Sequence, residues 1–291
     1  MNVEKYIRIF LLSLLLIFLS CSTVSPLGPS VSFQDIEAVQ PSWQKFADGI
    51  GYFHGKIIDP QIEFWALQIE LGTGKSKIVV KEENLSTRVS SFVRSNNLIA
   101  GINTAPFDVI TSREGQPIKN IGIVVSNGVL ITPANPAYDA LVFYKNGRAA
   151  IVRQSSLQSN QSIENIENAA GGFHQILTSG EPAQRTLGSE GAPSQRHPRS
   201  AAGISANGDI LFLLVIDGRR AASIGSTELE TALLLRTFGC HDGINFDGGG
   251  STALALRYPD GNVRTVNTPI HGGFPGHERA VAGILGISLR N

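Results

Sequence analysis

The chain has 291 residues, 42% of them hydrophobic and only 16% charged. That is enough apolar material for a sizeable core, and it excludes disorder of the chain as a whole. Twenty-four basic residues balance twenty-four acidic ones, so a nucleic-acid binder with a basic excess is excluded too.

Lys5 and Arg8 precede an apolar run, residues 9–19, broken only by Ser13. The run is short for a transmembrane helix and right for the apolar core of an export signal. It ends in Phe18-Leu19-Ser20-Cys21, an apolar and a small residue before cysteine, which resembles a bacterial lipobox. Residues 1–21 are therefore expected to be a lipoprotein signal peptide. Cys21 would be the lipidated mature N-terminus, anchoring an exported protein to the membrane of the cell envelope. Residues 22–45, with Ser, Pro and Gly and little periodicity, read as a tether. Residues 46–291 read as one globular domain. Cys240 then has no partner for a disulfide and is expected to be a buried, inert thiol.

Residues 51–58 and 62–71 alternate as two strands around Asp59-Pro60. Residues 84–96 predict a short helix, capped by Asn84 or Ser86, with Val89, Phe92 and Val93 on one side. Residues 98–103 form a strand that runs into Thr104-Ala105-Pro106. Strands follow at 121–125, 128–131, 140–144 and 149–153, with the hairpin signals Asn127-Gly128 and Asn146-Gly147 between them. Residues 161–169 read as a short helix, and 179–198 as a long exposed loop. A hairpin around Asn207-Gly208 joins 199–205 to 210–216. A helix follows over 226–238, capped by Ser226 or Thr227 and closed by Gly239. A final hairpin at 252–257 and 263–266, then a strand over 278–289, complete the chain. The class is α+β, a mixed and mostly antiparallel sheet with a βαβ-like C-terminal unit.

That unit carries the chemistry. Asn245 and Asp247 are two apart, so on a strand they share a face. Gly248-Gly249-Gly250 and Ser251 follow, a turn whose N–H groups suit an oxyanion or a sugar phosphate. The strand before the helix ends in Asp217-Gly218-Arg219. A crossover would make the two strands parallel and bring Asp217, Arg219, Asn245 and Asp247 to one crevice.

Pro198-Arg199-Ser200-Ala201-Ala202-Gly203, Asp217-Gly218-Arg219 and Asn245-Phe246-Asp247-Gly248-Gly249-Gly250-Ser251-Thr252 occur in order. With Gly101-Ile102-Asn103, Gly171-Gly172 and Glu278-Arg279-Ala280-Val281, this set resembles the phosphodiester glycosidase family over roughly residues 60–290. The sequence has Thr104-Ala105-Pro106 where the family has a second glycine, and Phe173-His174 after its glycine turn. The resemblance implies hydrolysis of a glycosidic bond to phosphate, with a glycan or glycolipid phosphodiester as substrate.

Cleaving the sugar C–O bond of such a diester releases a phosphate monoester. Its second pKa is about 6, against ~15.7 for water, so strong general-acid help is less needed than for ordinary glycosides. Fixed positive charge and N–H donors must hold the phosphate, and a carboxylate must attack or activate water. Asp247 is the first candidate carboxylate, with Asp217 second and Glu278 third. Arg199, Arg279 and Arg219 are candidate phosphate ligands. Asn245, Asn103, Gly248, Gly249, Gly250, Ser251 and His174 are candidate substrate contacts. No cofactor is required by the motifs. Asp217 and Asp247 are the residues that would hold a calcium or magnesium ion if one is used. Two other readings stay open: a surface lipoprotein that binds phosphoglycan without turnover, and a phosphodiesterase that cleaves P–O.

Overall fold

The computed structural model describes residues 33–188 and 194–290. From Phe33 onward they form one compact unit. The lipidation site Cys21 and the signal segment lie outside the described residues. Part of the expected tether belongs to the body. A short helix, Gln34–Glu37, buries Ile36, and Trp43 packs its ring on Phe53, Phe212 and Phe238. Burying an indole removes a large apolar surface from water, which outweighs the weak periodicity of the stretch.

Three sheets make the body, and every ladder in them is antiparallel. The largest has eight strands in the spatial order Gln44–Ala47, Ile50–Ile57, Ile62–Glu70, Ile210–Ile216, Arg199–Ile204, Asp242–Asn245, His174–Thr178 and Glu181–Pro182. Its two faces bury different partners, and the strand Ile210–Ile216 shows how. Leu213 and Val215 join a core with Leu141, Ile102 and Leu254 of the two smaller sheets. Phe212, Leu214 and Ile216 join a second core with Leu233 and Leu235 of the helix Glu228–Thr237. A strand buried on both faces reads as a continuous apolar run, as this one does. Cys240 lies in that second core, and burial pushes its thiol up.

The middle third is a local five-stranded sheet, Val129–Thr132, Val124–Ser126, Ile166–Gly171, Asp139–Tyr144 and Ala149–Arg153. Asn127 and Gly128 both take positive φ, 48° and 79°, the turn whose twist matches a two-residue hairpin. The helix expected over 161–169 is confined to Asn160–Ile163, and Ile166–Gly171 is a strand. That strand lies between two others and is buried almost throughout. Its ladder hydrogen bonds override the helical preference of Ala169 and Ala170.

The third sheet is Val263–Thr265, Leu254–Arg257, Ala100–Asn103, Ile284–Leu289 and Ser76–Val80. The last strand starts six residues later than expected, leaving 278–283 free to build the site described below.

The strands Ile210–Ile216 and Asp242–Asn245 both pair antiparallel with Arg199–Ile204. They therefore run parallel to each other with that strand between them. The helix Glu228–Thr237 is the crossover, closed by a capping box between Thr227 and Glu230. Both strand ends thus reach the same edge, with the start of Arg199–Ile204 between them.

Candidate active site

Asp247 follows the strand Asp242–Asn245. Its backbone N–H donates to the Thr104 carbonyl at 2.8 Å. Its carbonyl accepts from Asn103 Nδ2 at 2.6 Å. Both bonds pin the main chain to the loop after Ala100–Asn103. The carboxylate accepts from the Ser251 hydroxyl and the Gly248 N–H, with the Arg279 charge nearby. Burial is the larger effect and pushes this carboxyl up to about 6. The residue still keeps some surface open to solvent.

Ser251 is buried and bridges two charges. Its Oγ donates to Asp247 and accepts from Arg279 Nη1 at 3.1 Å. Arg279 Nε donates to His271 Nδ1 at 3.0 Å. That bond requires His271 to be neutral at Nδ1, and burial followed by the Arg279 and His277 charges lowers its pKa accordingly. The line His271, Arg279, Ser251, Asp247 fixes the guanidinium beside the carboxylate.

The glycines make room for this arrangement. A Cβ on Gly250 would come within 2.4 Å of Arg279 Nη2, and one on Gly249 within 3.0 Å of Arg219 Nη2. Gly248 lies as close to the Pro198 carbonyl, where a Cβ would meet oxygen at 2.6 Å. The triglycine run thus lets two arginines and the Pro198 backbone approach one turn.

Arg219 sits at φ 58°, a left-handed conformation that costs a non-glycine residue roughly 1–2 kcal/mol. The turn around it is overdetermined. Asp217 accepts from Arg220 Nη1 at 2.6 Å, and from the Thr268 N–H at 3.0 and 3.2 Å and Asn267 Nδ2 at 3.3 Å. Ser223 Oγ donates to the Asp217 carbonyl, and Arg220 and Ser223 exchange backbone hydrogen bonds. The Arg219 guanidinium itself makes no hydrogen bond or ion pair among the described residues. A fixed backbone therefore presents an uncommitted cation beside Gly249.

The sequence candidates divide into two groups. Asp247, Gly248, Gly249, Gly250, Ser251, Arg219 and Arg279 come together. The others are taken up by the fold. Asp217 is fully buried in the latch just described, and burial raises its pKa despite the donors around it. Glu278 is a helix cap: its oxygens accept from the Ser90 N–H at 2.9 Å, Ser90 Oγ at 2.6 Å and Thr265 Oγ1 at 3.2 Å. It does for the helix Val89–Ser95 what Asn84 or Ser86 was expected to do, since that helix has no side-chain cap of its own. Arg199 is buried against Glu228 at 3.8 Å and the carbonyls of Ser226 and Gln195 at 3.0 and 2.9 Å. Asn103 ties Asp247 to Ser200 and Ala253. His174 packs edge-on to Tyr138, and its charged neighbours are Arg185, Asp139 and Arg153, with its pKa lowered mainly by burial.

Asn245 differs from these. Its amide oxygen is buried without a protein partner, and so is the Thr252 hydroxyl. A buried orphan acceptor is costly unless water or a ligand completes it. Among the described residues no cluster of three metal-ligating groups occurs. Asp217 and Asp247 are held by separate partners. His271 is the site residue that the sequence reading did not single out. Its signal was the spacing to Arg279 across a glycine-rich turn, His271-Gly272-Gly273-Phe274-Pro275-Gly276-His277, which closes through a bridge between Ile270 and His277.

Comparison with known proteins bears on the fold and the family. No curated protein matches the chain. Solved structures share its fold, among them the following three. A hypothetical protein from Synechocystis superposes with a TM-score of 0.65 at 14% identity, covering 87% of this chain and 64% of that one. The chain thus spans less than two thirds of that protein. The zebrafish N-acetylglucosamine-1-phosphodiester alpha-N-acetylglucosaminidase catalytic domain, auto-inhibited by its pro-peptide, gives 0.61 at 18% identity, covering 92% of this chain and 96% of that domain. A protein from Burkholderia pseudomallei gives 0.56 at 15% identity, covering 78% and 74%. The family model for phosphodiester glycosidases matches residues 96–288, a span holding Arg219, Asp247, Ser251, His271 and Arg279. The chain belongs to the phosphodiester glycosidase family of hydrolases.

Proposed function

We propose that the protein hydrolyses a sugar-1-phosphate diester at the glycosidic C–O bond. Water adds its oxygen to the anomeric carbon, and the bond from that carbon to the phosphate oxygen breaks. The products are the free sugar and a phosphate monoester. The observation that carries the reading is the pairing of Asp247, a desolvated carboxylate, with two arginines on either side of the Gly249-Gly250 turn. Arg219 and Arg279 hold the phosphate and stabilise the charge it gains as it leaves. Asp247 acts on the sugar carbon as nucleophile or as the base that activates water, and its pKa of about 6 leaves it ionised at neutral pH. Asn245 supplies an unused acceptor for a sugar hydroxyl.

Hydrolysis in oxygen-18 water tests this. Label in the released sugar supports C–O cleavage. Label confined to phosphate makes the protein a phosphodiesterase. Binding of a phosphoglycan without turnover favours the non-catalytic reading. For location, the basic start, the apolar run 9–19 and Cys21 support an exported lipoprotein of the cell envelope acting on glycans or glycolipids there. Labelled fatty acid should enter the wild type and not Cys21→Ala; equal labelling of both rejects the anchor.

A further inference from the structure

Three flat rings stand against the strand that leads to Asp247. The Phe173 N–H donates to the Asn245 carbonyl at 2.8 Å, and the Asp139 N–H donates to the Phe173 carbonyl at 3.0 Å. These bonds tie Phe173 to the strand Asp242–Asn245 on one side and to Tyr138-Asp139 on the other. Tyr138 lies edge-on to both Phe173 and His174, with ring centroids 5.5 and 5.7 Å apart. All three rings are partly exposed. His174 pairs directly with Asn245 across the ladder, so the two side chains leave the sheet on one face. That is the face of Ala201, which pairs with Asn245 from the other side and belongs to the second core. Asp247 follows Asn245 by two residues.

The two facing polar groups are both unused. Asn245 is 3% exposed, and its amide oxygen has no partner. The His174 ring touches Tyr138 but makes no hydrogen bond or ion pair among the described residues. Burial, followed by the Arg185 charge, lowers its pKa, so the imidazole is neutral, with one nitrogen a donor. A hydroxyl between the two groups satisfies both. Its hydrogen goes to the Asn245 oxygen, and its oxygen accepts from the imidazole N–H. The charges around the pair are matched already. Asp139 faces Arg153 at 3.2 Å and accepts the Gln175 N–H at 2.6 Å, and Arg185 faces Glu228 at 3.3 Å. A sugar bearing a carboxylate or an ammonium finds no unpaired counter-charge here, and burying it costs more than burying a hydroxyl. The rings offer flat apolar surface to the C–H face of a sugar. We infer that Asn245, His174, Tyr138 and Phe173 form the sugar subsite. The sugar is a neutral pyranose, with one free hydroxyl held between Asn245 and His174 and its C–H face on the rings. The inference rests on the hydrolase reading above and adds the class of sugar and the residues that select it.

The test uses the methyl diesters of glucose, galactose and mannose 1-phosphate, then the monodeoxy analogues and the uronic acid analogue of the fastest. Two neutral hydrogen bonds together contribute about tenfold, so one deoxy analogue should lose about tenfold in kcat/KM in the wild type. In a protein carrying Asn245→Ala and His174→Ala, that loss should shrink toward one. The ratio is taken within one preparation, so partial misfolding of the variant does not alter it. A protein carrying Tyr138→Ser and Phe173→Ser should show a KM raised about tenfold, with kcat little changed, as loss of uniform binding requires. The uronic acid ester should be at least about tenfold slower than its neutral parent. No slower deoxy analogue, or a loss that survives the two alanine substitutions, overturns the inference and leaves the hydrolase reading intact. So does an unchanged KM in the serine variant, or a uronic acid ester hydrolysed as fast as its parent. Hydrolysis of none of these esters overturns the hydrolase reading and this inference with it.

Discussion

Two sets of arginines and carboxylates lie close together in the chain and are built in opposite ways. Around Asp217 and Glu228 the charges are enclosed and paired. Asp217 takes Arg220, Asn267 and Thr268, and Glu228 takes Arg185 at 3.3 Å and Arg199 at 3.8 Å. Around Asp247 the charges are arranged but not closed. Arg219 has no partner among the described residues, and Arg279 reaches the carboxylate through Ser251 rather than by a direct ion pair. The same residue types serve as frame in one place and as site in the other. Burying an ion pair stabilises little in net terms, but removing one partner strands the other. An unclosed set instead leaves its field available to a ligand.

Four substitutions sharpen or break this contrast. Asp247→Asn should lower kcat/KM by about 10³-fold, the middle of the range for a general base. The same change should stabilise the fold. A carboxyl whose folded pKa is raised from 3.8 to about 6 binds its proton more tightly when folded. Its contribution is therefore favourable at low pH and is lost as pH rises from about 4 through 6. At pH 7 the cost is about 1–3 kcal/mol, after discounting for partial exposure. Urea unfolding of Asp247→Asn should shift to a higher midpoint, and a lower midpoint would place Asp247 in the frame.

Asp217→Ala should do the reverse and destabilise by about 3–5 kcal/mol, because Arg220 and the Thr268 N–H lose their buried acceptor. A midpoint within error of wild type would show that the latch holds nothing. Gly250→Ala separates the two properties. Its Cβ displaces the end of the Arg279 side chain, so kcat/KM should fall by about 10- to 100-fold. The melting temperature should fall less than in Asp217→Ala, since the clashing atoms are the far end of one side chain, which gives up its bonds to His271 and Ser251 and leaves the backbone in place. Glu278→Gln should have the smallest effect, about 1 kcal/mol of stability through the weakened helix cap, read from thermal unfolding. If instead it loses activity as Asp247→Asn does, Glu278 belongs to the chemistry.

The reading of the sequence succeeded where local chemistry decides structure. The hairpins at Asn127-Gly128, Asn146-Gly147 and Asn207-Gly208, the Thr227 cap and the strand before Asp217 follow from turn and capping preferences. It failed where distant contacts decide. Nothing local says that Ile166–Gly171 will be drawn into the middle of a sheet, or that Glu278 will cap a helix 188 residues away. The motifs named residues that the fold gathers near Asp247, but they did not sort them. Asp217 and Arg199 sit in strand-end motifs beside the site, yet their partners, Thr268 and Ser226, come from other segments. His271 was hidden for the same reason, since its role depends on Arg279 folding back across a glycine-rich turn.

The most direct test of Asp247 as the reacting carboxylate is the pH dependence of kcat/KM on a soluble sugar-1-phosphate diester. The rate should rise about tenfold per pH unit below about pH 6 and level off above it, as the carboxyl of Asp247 ionises. In Asp247→Asn that inflection should vanish, leaving a low and flat profile. An inflection near pH 6 that persists in Asp247→Asn would contradict the assignment and place the reacting group elsewhere.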